Sequence, residues 1–365
     1  MTQHNPVNER IKRQYFTYLK EAKRYSAPSI DAAAAAIASF EAHTRCRDFK
    51  RFRIEQAVAF KRHLGSRASA ASGAPLSKAT QRRTLTALRS FFIWLADKPG
   101  YQSRIRYTDA DYFNLSEKDA RIATARRPKA FPSIEQVHAT IAAMPAASVI
   151  DKRDRALLAL TLLTGCRDGA LASLKVKHID LGANCLLLDA REVKTKFSKT
   201  FVTCFFPVGG NAHLIVADWM ETLRSDLLWA PTDPLFPKTR MEAAHGEGFK
   251  TTGLERAHWS NASPIRRIFR EAFERAGLPP FNPHSIRDTL IQLGQRVCHG
   301  PEEFKAWSQN IGHESVMTAF NSYGQVSAER QAEIIAGLSL KPAEPANLKQ
   351  LLLRAADAVG REHTP

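Results

Sequence analysis

Residues 154–163 read DRALLALTLL, apolar almost all round a helix. A helix without a polar face has to be surrounded by other elements, so this one marks the buried centre of a layered domain. Its apolar run, Leu157–Leu163, falls far short of the roughly 18 residues that a membrane span needs. Gly165 stops the helix, and Arg167 opens the next short one.

The chain around this helix divides into two kinds of pattern, as its 365 residues lead one to expect. In the first third Leu85, Leu88, Phe92 and Leu95 form one stripe of a helix opened by Ser77 or Thr80 and ended by Pro99 and Gly100. Arg82 and Arg89 flank that stripe, where they could meet DNA phosphates or stay solvated. The pattern dissolves in EKDARIATARRPKAFP, residues 117–132, which reads as a basic, extended linker carrying Arg126 and Arg127. Ser133 then caps a new helix, with Glu135 in its first turn. Cys185–Leu188 and Phe201–Phe206 carry the bias of strands, joined by the lysine-rich REVKTKFSK in a small antiparallel sheet. From His213 onward the chain reads as helical, with starts at Ser263-Pro264 and Pro283. After Leu340, two prolines precede an amphipathic tail helix, Asn347–Val359.

Charge narrows the partner. Lys and Arg number 53 against 36 Asp and Glu, a net of +17, which suits a polyanion. An anionic membrane surface is the other reading, but no apolar stretch spans a bilayer and the N-terminus MTQHNPVNER lacks the core of a secretion signal. Five scattered cysteines without zinc-ligand spacing imply free thiols in a reducing cytoplasm. No phosphate-cradling glycine motif for ATP or a dinucleotide occurs.

Four local patterns carry chemistry. TGCRDGALASL presents Arg167 at a helix N-terminus, where backbone N–H groups also favour an anion; a structural pairing with Asp168 or Asp180 is the plainer alternative. In PHSIRDTLIQLG the apolar stripe is Ile286, Leu290, Leu293 and Val297, which leaves His284 and Arg287 together on a polar face. Such a pair suits phosphate, through guanidinium donors and an imidazole that exchanges protons near neutral pH. IGHESVMTAFNSYG holds His313 and Tyr323, although Val316, Phe320 and Tyr323 also fit a plain core stripe. The turn between the two strands holds Lys194, Lys196 and Lys199.

The order Arg, Lys, H-x-x-R, G-H, Tyr resembles that of the tyrosine recombinases, the phage integrase family, from about Phe131 to Leu340. The resemblance implies a mainly α fold with a small antiparallel β-sheet: a helical, SAM-like core-binding domain (1–118), the linker (119–132), a catalytic domain (133–340) and the tail (341–365). It implies a site-specific DNA recombinase or integrase, of the kind that mobile elements use, which cleaves and rejoins strands through a 3′-phosphotyrosyl link. Arg167 and Arg287 would clamp the scissile phosphate and Tyr323 would attack it. Lys194, with Lys196 as the alternative, would protonate the leaving 5′ oxygen. His284 would assist proton transfer at the nucleophile, and His313 would bond a phosphate oxygen. Fixed cations stabilise the charge that builds up in the transition state, and a local positive field eases deprotonation of a phenol with a pKa near ~10. No cofactor or metal is implied.

Relatives usually have an acidic residue three positions after the first arginine, where this chain has Ala170. The family implies double-stranded DNA as partner and a homotetramer assembled on it, to which the tail helix could contribute. The setting it implies is the nucleoid of a bacterial cytoplasm. Two other readings are a type IB topoisomerase, with similar chemistry, and a DNA-binding protein that keeps the fold without the reaction.

Overall fold

The computed structural model describes residues 4–68, 73–125, 129–244, 248–298 and 300–313. The chain divides into two compact units, Met1–Arg127 and Pro128–Pro365. Tyr323, Arg126, Arg127 and the tail from residue 341 lie outside the described residues.

The first unit is helical: α1 (Pro6–Thr17), α2 (Ala27–His43), α3 (Ile54–Ser66), α4 (Lys78–Ala96) and α5 (Glu117–Thr124). The Ser77 hydroxyl accepts the Thr80 N–H at 3.2 Å and so starts α4. Leu85, Leu88, Phe92 and Leu95 are all buried, together with Phe91. Phe92 sits in a ring cluster with Phe40, Phe52 and Phe113, at centroid separations of 5.5, 4.3 and 5.0 Å. Tyr15 joins α1 to this core through Phe91, 5.0 Å away.

The expected extended segment from residue 117 is in part a helix. Ser116 accepts the Asp119 N–H at 3.2 Å to start α5, and Lys78 pairs with Asp119 at 2.9 Å, tying α5 to α4. The residues of α5 are helix formers with a good cap, and their charges lie on a solvated face, which conceals the helix in a reading by charge.

The second unit surrounds α7 (Val149–Thr164) with α6 (Ile134–Ala143), α8 (Asp168–Leu171), α9 (Ala212–Glu221), α10 (Ser263–Arg275), α11 (Pro283–Val297) and α12 (Pro301–Asn310). Every residue of α7 from Ala156 to Thr164 is buried, as its lack of a polar face requires. Gly165 closes it at φ +63°, and its N–H bonds Thr161 O at 2.8 Å. Strands β1 (Ile179–Asp180), β2 (Cys185–Leu188) and β3 (Phe201–Cys204) form an antiparallel sheet in that order, with Cys185 opposite Cys204 and Leu188 opposite Phe201. The lysine-rich turn therefore joins neighbouring strands.

The stretch after His213 is not helical throughout. A second antiparallel pair, β4 (Lys238–Ala244) and β5 (Gly248–Glu255), stands between α9 and α10. MEAA within β4 has helical propensity, but pairing with the Thr- and Gly-containing β5 overrides it. Arg153 of α7 fixes the hairpin by donating to Pro237 O at 2.9 Å and Thr239 Oγ1 at 3.0 Å. No helix among the described residues is long and apolar enough to cross a membrane.

Candidate active site

Arg167 is the N-cap residue of α8, two residues past the left-handed Gly165, and that tight exit from α7 delivers it to the surface of the unit. It is half-buried; its carbonyl accepts the Leu171 N–H at 3.0 Å, but its side chain makes no hydrogen bond or ion pair with any described residue. The pairing with Asp168 or Asp180 does not occur. Asp168 accepts from Arg266 at 2.6 Å, and Asp180 accepts the Ala183 N–H at 2.9 Å.

Arg287 is not on an open polar face. It is 3% exposed, and its guanidinium donates to Gly165 O at 2.5 Å and Ile311 O at 2.8 Å. One side chain thus joins the exit of α7, the start of α11 and the residue after α12. Burial lowers its proton affinity and the Arg167 charge lowers it further, but a guanidinium keeps its charge in a protein. Two cations are therefore held close together, with one of them unpaired, an arrangement complementary to an anion.

The histidines complete the cluster. Asn282 caps α11 by accepting the N–H groups of His284 and Ser285, which places His284 in the first turn, one turn before Arg287. Part of the His284 side chain reaches solvent, yet desolvation lowers its pKa, followed by the Arg287 charge. His313 is half-buried just past α12, and its pKa is pushed down to about 4. Desolvation is the main cause, and the charges of Arg287, Arg167, His284 and Lys196 add to it. His313 is therefore neutral at pH 7. The Ser308 hydroxyl lies 3.3 Å from its Nδ1, and no described residue bonds its Nε2.

All three lysines of the turn, Lys194, Lys196 and Lys199, are exposed. Lys196 lines a small cleft with Arg167, Arg287, Thr195 and Phe201, and its charge acts on His313. The Lys194 charge acts instead on His258. Lys196 is thus the lysine that the fold brings to the two arginines, whereas the sequence points first to Lys194. Ala170 is buried beneath the same cleft.

In the first unit Arg89 is tied to Asp111 at 2.8 Å, so it is not a free cation, whereas Arg82 is exposed along a broad groove between α2 and α4. Two residues that support the site have no motif of their own. Ser308 steadies His313, and Asn310 clamps β3 by bonding both the N–H and the C=O of Cys204, at 2.7 and 2.8 Å.

The sequence model of the phage integrase family matches residues 133–330, more than half of the chain. The chain belongs to the phage integrase family. It is a tyrosine recombinase, an enzyme of site-specific DNA recombination. It is 28% identical to tyrosine recombinase XerC 2 of Ralstonia nicotianae over 79% of this chain and 71% of that protein. Identity to XerC of Pelobacter propionicus is 24%, over 72% and 74% of the two chains. Family membership extends to the fold of solved structures. A lambda integrase dimer bound to a core site matches with TM-score 0.60 and 13% identity, over 87% of this chain and 95% of that one. XerH recombinase on a palindromic substrate matches with TM-score 0.58 and 18% identity, over 89% and 84%. Within this fold Arg167, Arg287 and Lys196 line one cleft, and the charges of the two arginines act on both His284 and His313.

Proposed function

We propose that this recombinase binds double-stranded DNA at a specific site and cleaves it with Tyr323, forming a 3′-phosphotyrosyl link. Arg167 and Arg287 hold the non-bridging oxygens of the scissile phosphate, and the neutral His313 donates to one of them through Nε2. The Tyr323 oxygen bonds to phosphorus and the bond to the 5′ oxygen breaks, with the electron pair leaving on that oxygen. A lysine of the β2–β3 turn protonates it; Lys196 is the better placed, with Lys194 as the alternative. His284, whose pKa is lowered, is neutral near pH 7 and accepts the phenolic proton. Attack by a new 5′ hydroxyl reverses the sequence and joins exchanged strands. The link conserves the phosphodiester energy, so no nucleotide is consumed.

The observation that carries this reading is Arg167, whose side chain has no partner among the described residues, beside the buried Arg287, with Lys196 lining the same cleft and both arginine charges acting on His284 and His313. Residues 1–118 act as the core-binding domain, 119–132 as a linker that is helical at its start, 133–340 as the catalytic domain and 341–365 as the tail. The similar structures solved on DNA include a lambda integrase dimer, a lambda integrase tetramer and XerH, which favours assembly of several copies on DNA. We place the work on DNA in the bacterial nucleoid, and the tail helix on a neighbouring subunit.

A covalent trap tests the reading. Cells carrying the native locus are lysed in detergent, and DNA that stays attached to the protein is sequenced beside a Tyr323→Phe control. Attached DNA of one sequence, absent from the control, is the expected result. Absence of attached DNA from both, at a site shown to be bound, would replace the enzyme with a DNA-binding protein.

A further inference from the structure

The short helix α8 does more than present Arg167. Its N-cap is Arg167, and two residues past its last residue, Leu171, stands Ser173, whose side chain is buried. The Ser173 hydroxyl accepts the backbone N–H of Lys194 at 2.8 Å and donates to Ala170 O at 3.0 Å. The same O–H also lies 3.2 Å from Gly169 O, so the hydroxyl donates into α8 while it accepts from the Lys194 backbone, and thereby joins helix and turn. The neighbouring Gly169 packs beside the same backbone: a Cβ there would stand 3.8 Å from Lys194 O.

This contact falls where the strand connection leaves the body of the domain. Before it, Val193 is buried and its N–H bonds Asp189 O at 2.7 Å. After it, residues 196–200 are all exposed, and Phe197 and Ser198 have positive φ. The turn that carries the lysines is therefore a projecting loop whose position is set at its root. Without Ser173 the Lys194 N–H would lose its partner, and the root could drift away from α8.

We propose that Ser173 is a positioning residue for general-acid catalysis. By holding the Lys194 backbone to the helix that presents Arg167, it fixes the distance between the phosphate clamp and the ammonium that protonates the leaving 5′ oxygen. The proposal rests on the reading that a lysine of this turn is that acid. Ser173 touches no reacting atom. Its effect is confined to the step in which the bond from phosphorus to the 5′ oxygen breaks and the proton passes from lysine to that oxygen.

The test uses the full-length protein and a nicked duplex oligonucleotide of the sequence recovered by the covalent trap. It is made with either oxygen or sulfur at the 5′ bridging position of the scissile phosphate. A thiolate leaves with its electron pair and needs no proton, so sulfur removes the demand for the acid. Single-turnover cleavage is measured for the parent protein, Ser173→Ala, Lys194→Ala and Lys196→Ala. On oxygen, the variant of the acid loses about a hundredfold or more. Ser173→Ala loses about tenfold on oxygen and stays within about twofold of the parent on sulfur. Full speed on sulfur also shows that Ser173→Ala is folded.

If Ser173→Ala slows both substrates equally, or neither, while one lysine variant is rescued by sulfur, Ser173 is only a packing residue and the proposal falls. If neither lysine variant is rescued, neither Lys194 nor Lys196 is the acid, and the underlying reading falls with the proposal.

Discussion

Arg167 and Arg287 have the same side chain and share a cleft, but the fold invests in them differently. The Arg287 guanidinium bonds two buried carbonyls and links three segments, whereas the Arg167 guanidinium bonds no described residue. Truncating each to alanine should therefore separate catalysis from stability. Arg287→Ala leaves the carbonyls of Gly165 and Ile311 without a donor, so urea unfolding should show a loss of about 2–4 kcal/mol, along with loss of cleavage. Arg167→Ala should abolish cleavage while stability stays within about 0.5 kcal/mol of the parent. An equal loss of stability in both would contradict the contrast. His313 supplies a second test at this scale. Its pKa is about 4 when folded, against an ordinary value of 6.5, so the folded protein binds fewer protons than the unfolded chain in that window. Its contribution is complete above pH 6.5 and is lost as pH falls toward 4. Stability should drop over that range, and His313→Asn should drop less, as read from denaturant midpoints at several pH values.

At the scale of elements, what the sequence reveals is local and what it hides is paired through space. The caps at Ser77 and Ser133 and the helix start at Pro283 follow from residues within three positions of one another. The stripe of α11 is read correctly at Ile286, Leu290 and Leu293, whereas Val297, at the end of the helix, is 40% exposed. Helical periodicity cannot report the burial of Arg287, because its acceptors belong to Gly165 and Ile311. Likewise β4 and β5 are strands only because each pairs with the other. Two predictions test such pairings. Cys185 and Cys204 face each other, and both backbone groups of Cys204 turn outward to Asn310, so the two form a non-hydrogen-bonded pair with close side chains. A diazene oxidant such as diamide, reduced to the hydrazine, should convert these thiols into a disulfide that peptide mapping assigns to Cys185–Cys204. A register shifted by one residue would give no such link. In the other pairing, Gly294 lets α11 and α12 approach closely. A Cβ there would lie 2.6 Å from Trp307 Nε1, which donates to Leu290 O at 2.9 Å. Gly294→Ala should cost about 1–3 kcal/mol in urea unfolding and reduce cleavage, because α12 carries Ser308 beneath His313. An unchanged midpoint would contradict that packing.

Across the whole molecule, the sequence alone indicates a basic chain of two parts, one of them helical, and the ordered residues of a strand-transfer enzyme. Those residues stand far apart in the chain, and it is their common order, not any one motif, that makes them legible. Sequence order does not report which lysine of the turn lines the cleft, since that depends on how the β2–β3 connection folds against Arg167 and Arg287. The central claim is that Arg167, Arg287, His284 and His313 prepare one phosphate for attack by Tyr323. The most direct measurement is to identify the residue that carries the DNA. The purified protein is reacted with a nicked duplex of its recovered site, digested with trypsin and nuclease, and the nucleotide-bearing peptide is sequenced by mass spectrometry. The account predicts a nucleotide joined through its 3′ phosphate to Tyr323, and no adduct from Arg167→Ala or Arg287→Ala. An adduct on any other residue, or undiminished adduct from the arginine variants, would contradict it.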